Sequence, residues 1–251
     1  MADSLHNAGM VRADAALIGG TGIGSRLLAL GGENYSVLTE HGLVRFRLID
    51  HEGCKIAVLQ RHSAGHKVPP HSVNYKGMAQ ALKMIGAKAC VASAAVGCLR
   101  TEWPLGEVVI CTDMIDLTFR NITMFEKQVY HQEIASPFPL ATELNLAARL
   151  LSPAFQPKAT YAGLNGPRYE SPAEIKMLAT LGADIVGMTA TTEAICMKEA
   201  GIPYGCLAIV TNIAEGLSED PIEHGAVTDV MLKGGPLAVQ IMLSAAKSAS
   251  S

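Results

Sequence analysis

Apolar residues fall in short unbroken runs along this chain, separated by segments in which they recur every three or four positions. Ala15–Ile18, "KIAVLQ" (55–60), "KACVAS" (88–93), "EVVICT" (107–112), "ADIVGM" (183–188) and "YGCLAIV" (204–210) have the composition of strands buried on both faces. Between them, "NYKGMAQALKMIG" (74–86), "PLATELNLAARLL" (139–151), "SPAEIKMLATLG" (171–182) and "TTEAICMKEAG" (191–201) show helical spacing, with Ser, Thr or Pro at the start or Gly at the end. Strand alternating with helix predicts an α/β fold, a largely parallel or mixed central sheet with helices on both faces in an α/β/α arrangement. A last helix, from about Val227 to Ala246, is expected to close it. Residues 1–14 are expected to form a flexible N-terminal extension, and 15–251 a single domain.

Composition narrows the function classes. A chain of 251 residues that is 49% hydrophobic and 17% charged can bury one large core. Its net charge of -3, with no basic run, gives no footprint for nucleic acid or an anionic membrane. No stretch reaches the roughly 18 apolar residues of a membrane span, and the N-terminus lacks the apolar centre of a signal peptide. The six cysteines lie mostly in apolar runs without a C-x-x-C pair, as small buried hydrophobes of a reducing compartment. A cytoplasmic location is expected.

In sheets of this kind ligands sit beyond the carboxyl ends of the strands, so the residues following each run matter most. The first run ends in "GGTGIG" (19–24), a glycine turn with a Thr hydroxyl, suited to close approach of an anion. As a dinucleotide fingerprint it lacks G-x-G-x-x-G spacing and an acidic partner about 20 residues on. As a Walker loop it lacks G-K-S/T, and a purely structural turn is the plain alternative. The second run ends in "RHSAGHKVPPHSVNY" (61–75), where Arg61 is suited to bidentate contact with phosphate. A metal reading of His62, His66 and His71 is weak, because Gly65, Pro69 and Pro70 prevent a sustained helix and no acidic or Cys ligand is near.

Taken together, "GGTGIG", "RHSAGHKVPPHSVNY", "SAAVGCL", "NGPRYESPAEI", "GADIVGMTATTEA" and "KEAGIPYGCLAIVTNIAEG" resemble the methylthioadenosine phosphorylase and trimeric purine nucleoside phosphorylase family, over residues 15 to about 245. The resemblance implies a homotrimer or hexamer, no metal, no organic cofactor, and reversible phosphorolysis of a purine nucleoside with inorganic phosphate as co-substrate. It places Thr21, Arg61, His62, Thr189 and the backbone of Ala95 at phosphate, Met188 under the ribose, and Tyr169, Glu170 and Asn212 at the base. Asn212, Glu170 and His62 are implied to carry the chemistry. Ala94 departs from the pattern, standing where many relatives have a hydroxyl. No nucleophilic side chain is needed, since phosphate itself attacks.

Base choice follows from two positions. The family's 6-aminopurine enzymes have Asp at the position of Asn212 and a small polar residue at that of Glu170. An Asn amide donates to O6 and accepts from N7–H, and a carboxylate accepts from the N1–H that adenine lacks, so a 6-oxopurine is expected. The plain alternative for Glu170 is a carboxylate at the start of the following helix. Val227 matches the 5′ position, apolar in methylthionucleoside enzymes and His in the others; His224, one turn earlier, is the competing candidate. His131 matches a residue that reaches the neighbouring subunit's 5′ pocket. A non-catalytic binding protein and a phosphate-independent nucleosidase are the competing functions.

Overall fold

The computed structural model describes residues 6–7, 11–65, 67–152, 154–218 and 224–251. A single mixed sheet organises them. β2 (Ala15–Gly19) lies parallel to both β5 (Cys54–Gln60) and β6 (Cys90–Cys98), and β6 is parallel to β10 (Tyr204–Ile213). From β10 the sheet passes to antiparallel β7 (Val108–Asp116), then to β8 (Gln156–Gly163) and the short β9 (Ile185–Gly187). β9 returns to pair antiparallel with the end of β6, closing five strands into a ring. The far edge is a meander, β3 (Glu33–Thr39) and β4 (Gly42–His51), which joins β5 antiparallel. β1 (His6–Asn7) adds to β3 in parallel.

Two apolar layers cover the sheet, which bears out the expected α/β/α arrangement. On one side α2 (Tyr75–Met84) and α5 (Ala190–Ala200) bury Met78, Leu82, Ala194 and Met197 against the strands. On the other, α1 (Gly24–Leu28), α3 (Ala141–Leu151) and α6 (His224–Ser250) bury Leu27, Leu144, Met231 and Ile241. α4 (Pro172–Thr180) covers a smaller cluster with Ile175 and Leu178. Two of the helices start on side-chain caps supplied by their own sequence. The Asn74 side chain accepts from the Gly77 N–H at the head of α2, and Ser171 with Glu174 forms a capping box on α4.

Five elements lie outside the expected set: β1, α1, β3, β4 and β8. The last helix is longer than expected, running through Pro236. Proline has no N–H for the Leu232 carbonyl one turn back, and Arg26 Nη2 donates to that oxygen instead, at 2.7 Å. Part of the N-terminal extension is hydrogen-bonded to the rest of the fold. His6–Asn7 pair with β3, Ala13 N–H donates to the Ile85 carbonyl, and Asp14 bonds to Lys55 through backbone and side chain. All six cysteines are buried and free. Among the described residues no helix is long and apolar enough to cross a membrane.

Candidate active site

The ends of β2, β5, β6, β9 and β10 open into one cavity of about 470 Å³. Thr21, Arg61, His62, Ala94, Ala95, Tyr169, Glu170, Met188, Thr189, Asn212 and Val227 all line it. These come from positions as far apart as 21 and 227, and the parallel register of β2, β5, β6 and β10 brings them to one rim. His131 is exposed and is not among the lining residues. The side chain of His224, and His66 altogether, lie outside the described residues. Among the described residues no three of His, Cys, Asp and Glu converge as a metal site.

The glycine turn after β2 is shaped by what presses on it. A Cβ on Gly20 would lie 2.5 Å from Arg61 Nη1 and 2.8 Å from the Ser93 carbonyl oxygen, so any side chain there would displace the guanidinium. Gly22 adopts φ +73°, a conformation that L side chains rarely take. The Gly20 N–H donates to Ser93 Oγ at 3.1 Å, tying the turn to β6. A hydroxyl is therefore present one residue before Ala94, turned to the backbone of the glycine turn.

Arg61 departs from the expectation in its hydrogen bonding. Its Nε and Nη2 donate to the two oxygens of Glu193, at 2.5 and 2.8 Å, and Nη1 donates to the Ser93 carbonyl at 2.8 Å. The fork expected for phosphate is thus held by a carboxylate, which leaves two of the five guanidinium N–H groups for an anion. Glu193 is fully buried and receives a further bond from the Tyr204 hydroxyl at 2.6 Å. The Arg61 pKa is driven further up by Glu193, against the opposing effect of burial. The sequence signal for Glu193 was a lone carboxylate in "TATTEAICM", otherwise free of charge; an acid in a buried segment needs a partner.

His62 is fixed by the loop that follows it. Its Nδ1 lies 2.8 Å from the Val68 carbonyl oxygen, which can only accept, so Nδ1 carries the proton. Thr189 precedes the first residue of α5, so the backbone N–H groups at the head of that helix lie beside the cavity, a setting favourable to an anion.

Asn212 comes from β10, and Tyr169 and Glu170 from the segment before α4. Between Val210 and Asn212 the register of β10 against β6 slips by one residue, a bulge that brings Asn212 opposite Gly97. The Thr211 hydroxyl lies 3.1 Å from both the Val96 carbonyl and Asn212 Oδ1, and Asn212 Nδ2 donates to the Ile213 carbonyl at 3.0 Å. Each end of the amide keeps a further hydrogen-bonding position. Glu170 is 8% exposed whereas neighbouring Tyr169 is 41% exposed. Burial raises the Glu170 carboxyl above its ordinary pKa, with its own backbone N–H opposing. The alternative of a helix-start carboxylate belongs to Glu174 instead, which caps α4, is bound by both terminal nitrogens of Arg168, and is held down to about 2. Arg120, missed from sequence, braces this wall: it donates to Asn165, to the Thr192 hydroxyl and to the Met188 carbonyl, and lies over the Tyr75 ring.

Comparison with known proteins adds an independent finding. The Phosphorylase superfamily matches residues 14–247. A protein named "Probable 6-oxopurine nucleoside phosphorylase" from Thermococcus kodakarensis is 36% identical over 227 residues, 86% of this chain and 85% of that protein. One named "Probable S-methyl-5'-thioinosine phosphorylase" from Pseudomonas syringae pv. tomato is 35% identical, over 87% of this chain and 92% of that protein. Among solved structures, methylthioadenosine phosphorylase from Schistosoma mansoni in complex with adenine superposes with a TM-score of 0.87 at 27% identity, covering 95% of this chain and 91% of that one.

Proposed function

The chain belongs to the phosphorylase superfamily, and on that premise we propose that it catalyses reversible phosphorolysis of purine nucleosides with a preference for 6-oxopurines. The observation that carries this reading is that Glu170 and Asn212 share one cavity with Thr21, Arg61, His62 and Thr189. A phosphate oxygen attacks C1′ as the C1′–N9 bond breaks, and the electron pair passes into the purine. Thr21, the two remaining N–H groups of Arg61, His62, the Ala95 backbone and Thr189 hold the phosphate, whose charge stabilises the developing cation at the sugar. Met188 supports the ribose and Tyr169 lies along the base. Asn212 donates to O6 and, as the departing purine takes a proton from water at N7, accepts from N7–H, while Glu170 accepts from N1–H. The reaction uses no cofactor beyond the phosphate consumed. The test is a panel of inosine, guanosine, adenosine, methylthioinosine and methylthioadenosine, each with and without phosphate. Phosphate-dependent release of hypoxanthine or guanine supports the reading; turnover without phosphate marks a nucleosidase.

Glu170 makes the reaction pH-dependent. Its ionised form is the stronger acceptor for N1–H, and burial holds its pKa above the ordinary carboxylate range. The kcat/KM for a 6-oxopurine nucleoside is therefore expected to fall as pH drops through that raised pKa. A 6-aminopurine nucleoside should not lose activity at the same point, because a protonated carboxyl donates to its bare N1. Glu170→Gln should abolish the acidic limb; the same limb persisting in that variant would assign it to another group.

Val227 is buried and lines the cavity. An apolar side chain there favours a 5′-methylthio group over a hydroxyl, so methylthioinosine should exceed inosine in kcat/KM by about tenfold or more, and Val227→His should narrow that ratio. A wild-type preference for inosine would remove Val227 from the 5′ pocket. The second reading, a methylthioadenosine phosphorylase, draws on the same Val227 and on the likeness to the Schistosoma mansoni structure, and is opposed by Glu170 and Asn212. The assembly proposed is a homotrimer in which exposed His131 reaches the neighbouring subunit's 5′ pocket, acting in purine salvage in the cytoplasm.

A further inference from the structure

Glu193 is a buried carboxylate that the reaction as described does not use. It does not line the cavity, and its side chain is completely removed from solvent. Its two oxygens face Nε and Nη2 of Arg61, and the Tyr204 hydroxyl closes the far side of the same carboxylate. Its backbone N–H donates to the Thr189 carbonyl one turn back, at 3.1 Å. Glu193 therefore touches, through one side chain and one backbone bond, two of the groups assigned to phosphate.

We propose that Glu193, backed by Tyr204, is a positioning residue of the phosphate site, fixing the guanidinium of Arg61 so that its two uncommitted N–H groups meet the anion. The inference rests on the phosphorolysis reading given above. The geometry requires some such device. Arg has four side-chain torsions, and Gly20 offers no Cβ to hold the guanidinium from the other side. With a carboxylate on one edge and the Ser93 carbonyl on Nη1, the plane of the group is set by three hydrogen bonds before phosphate arrives. Phosphate then binds an oriented donor pair instead of paying to orient it.

A carboxylate in this place also opposes the dianion electrostatically, and the two effects have opposite signs. Positioning predicts that removing the Glu193 charge weakens phosphate binding, whereas a charge brake predicts that it strengthens it. Glu193→Gln separates them. The amide retains an acceptor for one Arg61 N–H but turns an N–H₂ towards the other, so the fork is broken at nearly constant volume. Tyr204→Phe is the milder variant, removing one hydroxyl and leaving the Arg61 pair in place.

The experiment measures KM for phosphate, KM for nucleoside and kcat in wild type, Glu193→Gln and Tyr204→Phe, with inorganic phosphate binding titrated by calorimetry in the absence of nucleoside. Glu193→Gln should raise the phosphate KM and dissociation constant about tenfold or more while the nucleoside KM stays within about twofold. Tyr204→Phe should shift phosphate in the same direction by less, and decides the matter if Glu193→Gln does not fold. Unchanged or tighter phosphate binding overturns the proposal, as does an equal rise in both KM values, which is the mark of general structural damage. A wild type that binds phosphate without consuming it overturns the phosphorolysis reading, and the calorimetric comparison still decides the role of Glu193.

Discussion

Exchanging Asn212 for Asp together with Glu170 for Ser is expected to reverse the base preference, from 6-oxopurine to 6-aminopurine nucleosides. Adenine in the wild-type cavity sets its 6-amino group against the Asn212 N–H donor and leaves the buried Glu170 carboxylate facing the lone pair on N1. Two mismatched polar contacts away from water amount to several kcal/mol, or about a hundredfold or more in kcat/KM. An Asp at 212 accepts from the amino group, and a Ser at 170 donates to N1. The single change Asn212→Asp should move the ratio only part of the way, because the ionised Glu170 carboxylate still opposes a bare N1. The measurement is kcat/KM for methylthioinosine over methylthioadenosine in wild type, both single variants and the double. A ratio that stays constant across the four proteins would show that these side chains do not read the purine edge.

The second large effect concerns the buried ion pair. Arg61→Met leaves the Glu193 carboxylate without its cation in a site closed to water, and should cost about 3–5 kcal/mol of stability along with most phosphate binding. Arg61→Met combined with Glu193→Gln removes both charges and should recover the greater part of that stability. It should not recover phosphate use, because the donors are gone. Chemical denaturation of the four proteins gives the stability cycle, and phosphate titration in those that remain folded gives the functional one. A folded double variant with wild-type phosphate affinity would take Arg61 out of the phosphate site, and a double variant as unstable as the single would mean that packing, not charge, holds this corner.

The sequence made the central strands legible because they are apolar on both faces; Ala15–Gly19 is buried at every position. The meander was less legible, since β4 alternates exposed and buried residues over "GLVRFRLIDH" and its charges resemble those of a loop. β8 begins on Gln, Pro and Lys and buries only its later half. The cavity residues were recognisable one by one through the family motifs, but their bonding was not. The pairing of Arg61 with Glu193 spans 132 residues, and nothing local in either segment names the other. The bulge at Thr211 was hidden for the same reason, because it exists only in the register of β10 against β6. At the start of α4 the capping carboxylate is Glu174 and not Glu170. Glu174 takes the cap and Arg168, which leaves Glu170 buried at the cavity wall.

The central claim is that phosphate, and not water, receives the pentose. Phosphorus NMR of the purified protein with methylthioinosine or inosine and inorganic phosphate tests it directly. The account predicts a pentose 1-phosphate resonance growing in step with free hypoxanthine as the phosphate signal declines, and no base released when phosphate is left out. Hypoxanthine appearing with free pentose and an unchanged phosphate signal would contradict it.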